Sequence, residues 1–69
     1  MLYEKLRTVL EELVELEKLA AVEREYKSLS KITDARQEIE AAILLTIEGN
    51  NQALRDWEGW FDAKLKESV

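Results

Sequence analysis

The chemistry open to this chain is limited by the side chains it lacks, because it contains no His and no Cys. Without these ligands the usual zinc sites are excluded. Carboxylates such as Glu11 and Glu15 share a helix face, but a carboxylate-bridged di-metal bundle also requires Glu-x-x-His. Ser28 and Lys31 have a Ser-x-x-Lys spacing, but the two further motifs that such a nucleophile needs are absent. We therefore predict no catalytic residue, no metal site and no cofactor, and a protein that is not an enzyme.

Three aromatic side chains, Trp57, Trp60 and Phe61, are the best candidates for a binding function. Tryptophan is enriched at binding hot spots, and aromatic rings stack on nucleotide bases. Trp57 and Phe61 share helical spacing with Leu54 and Leu65, which predicts that they belong to the core. Trp60 lies at the edge of that face. We therefore expect Trp57 to be buried and Trp60 to be at least partly accessible.

Two arginines, Arg36 and Arg55, are predicted near the starts of the second and third helices, where helix N-termini favour anions. With Trp60 as a stacking surface, they suggest that the chain binds a nucleotide or similar anion between protomers. The simpler interpretation, which we favour, is that both arginines are ordinary surface residues. Arg36, Arg55 and Trp60 are therefore the candidate contacts for a ligand or a partner.

Composition indicates one small helical domain. The 69 residues are near the lower size limit for a single core, and there is no disulfide to supplement it. Abundant helix formers, two Gly and no Pro favour an all-α fold. The net charge of −5 leaves no basic face for nucleic acid. No apolar run approaches the roughly 20 residues of a membrane span, and no signal pattern is present. We expect a cytoplasmic protein without nucleic-acid or membrane partners.

The longest uninterrupted apolar run, residues 41–45, lies within the segment 39–47. At about 100° per residue, five consecutive apolar residues cover the whole helix circumference. A helix that is apolar all round must be covered all round. The segment is therefore predicted to lie at the centre of the protein, with a core formed by Ile39, Ile43, Leu44 and Ile47.

The sequence predicts an all-α three-helix bundle with a long N-terminal helix, the helices covering about 2–28, 33–48 and 51–66. Neither Gly, Pro nor Asn interrupts the first of these segments. All three helices are expected to belong to one domain that spans residues 1–69.

Cap and stop residues define the predicted helix boundaries. Asp34, with Gln37 three residues later, resembles a capping box for the second helix, and the Thr before Asp34 is the alternative cap. Gly49 supplies a left-handed stop for that helix. Asn50 or the Asn after it caps the third helix.

Large apolar side chains repeat along the first predicted helix at alternating spacings of four and three residues, as in a heptad seam. We call this row the N-terminal stripe, and it comprises Leu2, Leu6, Val9, Leu13 and Leu16. A helix over residues 2–28 would span roughly 40 Å and the second helix only about 24 Å, so the stripe would stay uncovered. A second copy is the simplest cover, in a parallel or antiparallel arrangement about a two-fold axis. We predict self-association to a dimer or higher oligomer.

A second apolar row follows the stripe along the first predicted helix. It comprises Leu19, Val22, Tyr26 and Leu29. This row lies roughly 150° around the helix from the stripe, and we expect it to face the second helix.

Several residues of the second predicted helix form a pattern that can be compared with known proteins: Ala35, Arg36, Ile39, Ala42, Ile43 and Ile47. The pattern resembles the helical hairpin of phage proteins that sequester cyclic-nucleotide immune signals. It implies an alternative function, an oligomeric binder of nucleotide signals, but its residues are mostly generic helix formers and no functional residue is carried over. The composition is also typical of designed bundles. Our main hypothesis is a non-enzymatic protein, natural or designed, that acts by self-association and contact with other proteins.

Overall fold

The computed structural model describes residues 1–67, and within this range the chain forms three α-helices joined by short turns. Helix α1 covers Leu2–Val22, α2 covers Tyr26–Thr46 and α3 covers Asn51–Glu67. No strand occurs in the described range, and the predicted all-α three-helix fold is confirmed. α1 and α2 form the closely packed pair, whereas α3 approaches their backbones at few points.

The first turn comes earlier than the sequence predicts. α1 ends at Val22, not near residue 28, and α2 begins at Tyr26, not near residue 33. The predicted capping box at Asp34 and Gln37 therefore lies inside α2, where its side chains cap no helix end. The prediction of one long N-terminal helix is wrong, and α1 and α2 have the same length of 21 residues.

Arg24 makes this turn by adopting a left-handed backbone conformation with φ of 59°. The N–H of Glu25 donates to the carbonyl of Ala20, and the N–H of Arg24 donates to that of Ala21. These are the paired hydrogen bonds of a Schellman helix stop. Gly or Asn usually occupies the left-handed position, so an Arg there gives no recognisable stop signal in the sequence.

The second turn lies where the sequence predicts it. Gly49 has φ of 82°, which is the left-handed stop expected of it. The side-chain oxygen Oδ1 of Asn50 accepts a hydrogen bond of 3.0 Å from the N–H of Ala53. Asn50 is thus the N-cap of α3, as predicted.

The buried core is a small cluster that joins all three helices. It contains Leu10 of α1, Ile43 and Ile47 at the C-terminal end of α2, and Trp57 of α3. Half-buried side chains surround the cluster: Tyr3, Leu6, Ile39, Ala53, Leu54, Trp60 and Phe61. Among the described residues only Leu10 and Ile43 are fully buried. This cluster therefore lies away from the turn between α1 and α2, whereas Val14 and Ala20 are buried closer to that turn.

The apolar run in α2 is not covered on all sides within this chain. Ile43 and Ile47 are buried, but Leu44 is 44% exposed and Leu45 is 71% exposed. The prediction that Leu44 belongs to the core is wrong. In a bundle of three helices each helix has two neighbours, so one arc of α2 must face outward whatever its composition.

The second apolar row does not form the contact predicted for it. Leu19, Val22 and Tyr26 are exposed, and only Leu29 is half-buried. The early turn is the reason, because it divides these residues between two helices with different orientations.

None of the described helices has both the length and the apolar composition needed to cross a bilayer.

Candidate functional site

The N-terminal stripe lies along one flank of α1 and is partly accessible to solvent. Leu2 is 65% exposed, Val9 41% and Leu16 46%. Leu6 and Leu13 are half-buried, and Leu6 packs against the core cluster. The three exposed members repeat every seven residues, so they lie two helical turns apart on one edge.

The face of α1 that is buried is a neighbouring row and not the stripe. Leu10 is fully buried and Val14 is nearly so. Each of them follows a stripe residue, Val9 or Leu13, by one position, which is a rotation of about 100° around the helix. The edge of the stripe next to Leu10 and Val14 therefore faces the core. The opposite edge stays uncovered.

Helix α3 contacts the other flank of α1. The guanidinium carbon of Arg7 lies 4.4 Å from the centroid of the Trp60 ring. The Lys64 ammonium lies 4.0 Å from a carboxylate oxygen of Glu11. The exposure of the stripe thus results from the side on which α3 packs. We predicted this exposure from a first helix longer than the second, but α1 and α2 have the same length.

An open groove between α1 and α2 extends the apolar surface of the stripe towards the first turn. The walls of the groove are apolar, its rim is acidic, and we call it the turn groove. Its lining residues are Leu16, Leu19, Ala20, Glu23, Glu25, Ser28 and Ile32. Leu16 belongs to both the stripe and the groove, so the two features form one continuous surface.

Arg36 lies in the middle of α2 and is held in a network of charged groups. Its Nε lies 2.5 Å from Oε1 of Glu17 on α1, and its Nη1 also pairs with Glu40. The Thr33 hydroxyl donates to the other Glu17 oxygen at 2.7 Å. Arg36 therefore ties α2 to α1. It does not lie near a helix start, because α2 begins ten residues before it.

The two tryptophans have the burial that the sequence predicts. Trp57 is buried and Trp60 is half-buried. One face of Trp60 is occupied by the Arg7 guanidinium. The centroids of the Trp60 and Trp57 rings are 5.6 Å apart. Sequence reasoning did not find the contact of Arg7 with Trp60, because it depends on which flank of α1 receives α3.

The three candidate ligand contacts do not converge within one chain. Arg36 meets α1 at Glu17, whereas Trp60 meets it at Arg7, ten residues or about 15 Å further along the helix. Arg55 is exposed near the start of α3. These three residues therefore do not form one anion site within a single protomer. A site between protomers stays a prediction.

Arg36→Ala is expected to lower the free energy of unfolding by about 1–3 kcal/mol, because the carboxylates of Glu17 and Glu40 would lose their shared cation in a half-buried site. Urea denaturation followed by circular dichroism measures this loss. Arg55→Ala is the matched control, and a change within about 0.5 kcal/mol is expected at that exposed position. Equal losses for the two variants would contradict a structural role for the network.

Within residues 1–67 no group of three or more acidic side chains is arranged to hold a metal ion. No family model, curated protein or solved structure matches the chain at a significant level. The candidate site is therefore defined by geometry alone, as the N-terminal stripe together with the turn groove.

Proposed function

We propose that this chain is a non-enzymatic helical interaction module that acts by self-association through the N-terminal stripe. The observation that carries the proposal is the exposure of Leu2, Val9 and Leu16 in one row on α1. Scattered single apolar residues are normal on protein surfaces, but a contiguous apolar strip marks an interaction site. The turn groove enlarges this strip.

The area of exposed surface supports the proposal. The chain has an accessible surface of 5187 Å². A compact monomer of 8.0 kDa is expected to expose about 4,450 Å². The chain therefore exposes more surface than a compact monomer of its mass, which agrees with its small core.

The small core is a second line of support. Only Leu10 and Ile43 are fully buried among the described side chains. Domains of this size usually need a supplement to their core, and oligomerisation is one of the few available to a chain without Cys. Association would stabilise the folded state because the partner binds only the folded protein.

The double variant Val9→Gln, Leu16→Gln tests the proposal. Both side chains are exposed in the single chain, so the fold should survive while the apolar contact is lost. We expect the dissociation constant to rise by about a hundredfold or more. Sedimentation equilibrium measures the mass, and circular dichroism checks that helicity is retained.

The matched control is Val22→Gln, Leu45→Gln, which removes two exposed apolar side chains that lie outside the stripe. It should keep the association of the wild type. A wild type that sediments as a monomer at about 100 μM would contradict the proposal, because a dimer with a micromolar dissociation constant would be almost fully associated at that concentration. A control that dissociates as much as the stripe variant would contradict the assignment to the stripe.

A further inference from the structure

We infer that two copies of the chain pair their α1 helices antiparallel, about a two-fold axis that passes close to Val9, and that the Leu2 end of each α1 covers the turn groove of the other copy. This inference rests on the proposed self-association and adds the orientation of the partner. Charge and shape along the stripe carry it.

Two charged residues border the exposed edge of the stripe on the side away from the core. Lys5 lies between Leu2 and Val9, and Glu12 lies between Val9 and Leu16. Lys5 and Glu12 are seven residues apart, so they lie on the same edge of α1. Both are exposed, and neither side chain forms an ion pair within residues 1–67.

An antiparallel pairing brings these opposite charges together. A two-fold axis near Val9, perpendicular to α1, places Lys5 at the height of the partner's Glu12, and by symmetry Glu12 at the height of the partner's Lys5. A parallel pairing in register instead places Lys5 beside the partner's Lys5 and Glu12 beside the partner's Glu12. Like charges at an interface disfavour an arrangement, so the pattern selects the antiparallel one.

The same arrangement matches the apolar shapes. The two-fold axis places Leu2, the most exposed member of the stripe, at the height of the partner's Leu16. Leu16 forms part of the turn groove, whose walls also include Leu19 and Ile32. Each dimer would then fill two grooves, one at either end. In a parallel dimer Leu2 would meet only the partner's Leu2, and the grooves would stay open.

Charge reversals distinguish the two orientations. Lys5→Glu alone and Glu12→Lys alone should each raise the dissociation constant by about tenfold, because both symmetry-related pairs change from attraction to repulsion. The double variant Lys5→Glu, Glu12→Lys should restore the affinity of the wild type, since it exchanges the charges across the interface. Sedimentation equilibrium at low salt gives the dissociation constants.

Lys18→Glu and Glu15→Lys are the matched controls, because they change the net charge by the same amounts at exposed positions away from this edge of α1. Neither should alter the dissociation constant more than about twofold. Single reversals at Lys5 and Glu12 that leave the affinity unchanged would overturn the antiparallel arrangement.

Disulfide trapping gives a second test, because the chain has no Cys of its own. On mixing Leu2→Cys protein with Leu16→Cys protein and oxidising, we expect linked heterodimers to dominate. In the antiparallel dimer two Leu2 positions are about 21 Å apart along the axis, far beyond the reach of a disulfide. Linked homodimers of Leu2→Cys would overturn the inference while leaving self-association intact. A wild type that is monomeric would contradict the proposed function itself.

Discussion

Ile43→Ala is expected to lower the free energy of unfolding by about 2–5 kcal/mol, which is the usual cost of truncating a fully buried aliphatic side chain. Ile43 is one of two fully buried residues within 1–67, and its cluster includes Leu10 of α1 and Trp57 of α3. The cavity would therefore open at the point where all three helices meet. Urea denaturation followed by circular dichroism measures the loss at a fixed protein concentration.

The neighbouring positions provide controls within the same apolar run. Leu44→Ala and Leu45→Ala remove as many carbon atoms from residues that are 44% and 71% exposed. We expect their costs to be well below that of Ile43→Ala, and lowest for Leu45. If Leu45→Ala lowered the free energy of unfolding as much as Ile43→Ala, Leu45 would have to be buried in solution. The outward orientation of this side of α2 would then be wrong.

Trp57→Ala is expected to lower the free energy of unfolding by about 3–5 kcal/mol, the usual cost of truncating a buried aromatic side chain. Trp57 is the buried residue through which α3 joins the core cluster, and its ring stacks on that of Phe61 with centroids 4.8 Å apart. Because α3 approaches the other helices at few backbone positions, it depends on this side chain. We expect α3 to separate from the pair formed by α1 and α2.

Amide hydrogen exchange would show this separation, since protection should fall first in α3 and later in α1 and α2. Trp60→Ala is the matched control: it removes the same indole from a half-buried position where it contacts Arg7. Its cost should be clearly smaller. A uniform loss of protection in all three helices would contradict the dependence of α3 on Trp57.

Both variants also bear on self-association. A domain of this size has a total stability of about 3–5 kcal/mol from its core, so Ile43→Ala would unfold many isolated chains and Trp57→Ala would detach α3 in many of them. If the stripe pairs two copies, raising the protein concentration should recover part of the folded population. The same titration on the Val9→Gln, Leu16→Gln background should show no recovery.

The sequence by itself determined the helical class and the second turn. Helix formers without Pro leave no competing structure, and the signals at that turn are local. Gly49 adopts a left-handed conformation and Asn50 bonds to the next turn of its own helix, so neither depends on a distant residue. The burial of Trp57 also followed from helical spacing, and that of Ile43 from the apolar run around it, although the same run wrongly placed Leu44 in the core.

Only the tertiary structure decided the first turn, the buried face of α1 and the role of Arg36. Arg24 adopts a left-handed conformation that residues other than Gly and Asn rarely take, so the local sequence does not mark this turn. The apolar rows on α1 cover more of its circumference than two neighbouring helices can bury. The side on which α3 packs therefore determines that Leu10 is buried and Val9 is exposed. Arg36 meets Glu17 only after the chain has turned back on itself. These outcomes depend on pairs of residues far apart in the chain, whereas spacing within one helix reports only on that helix.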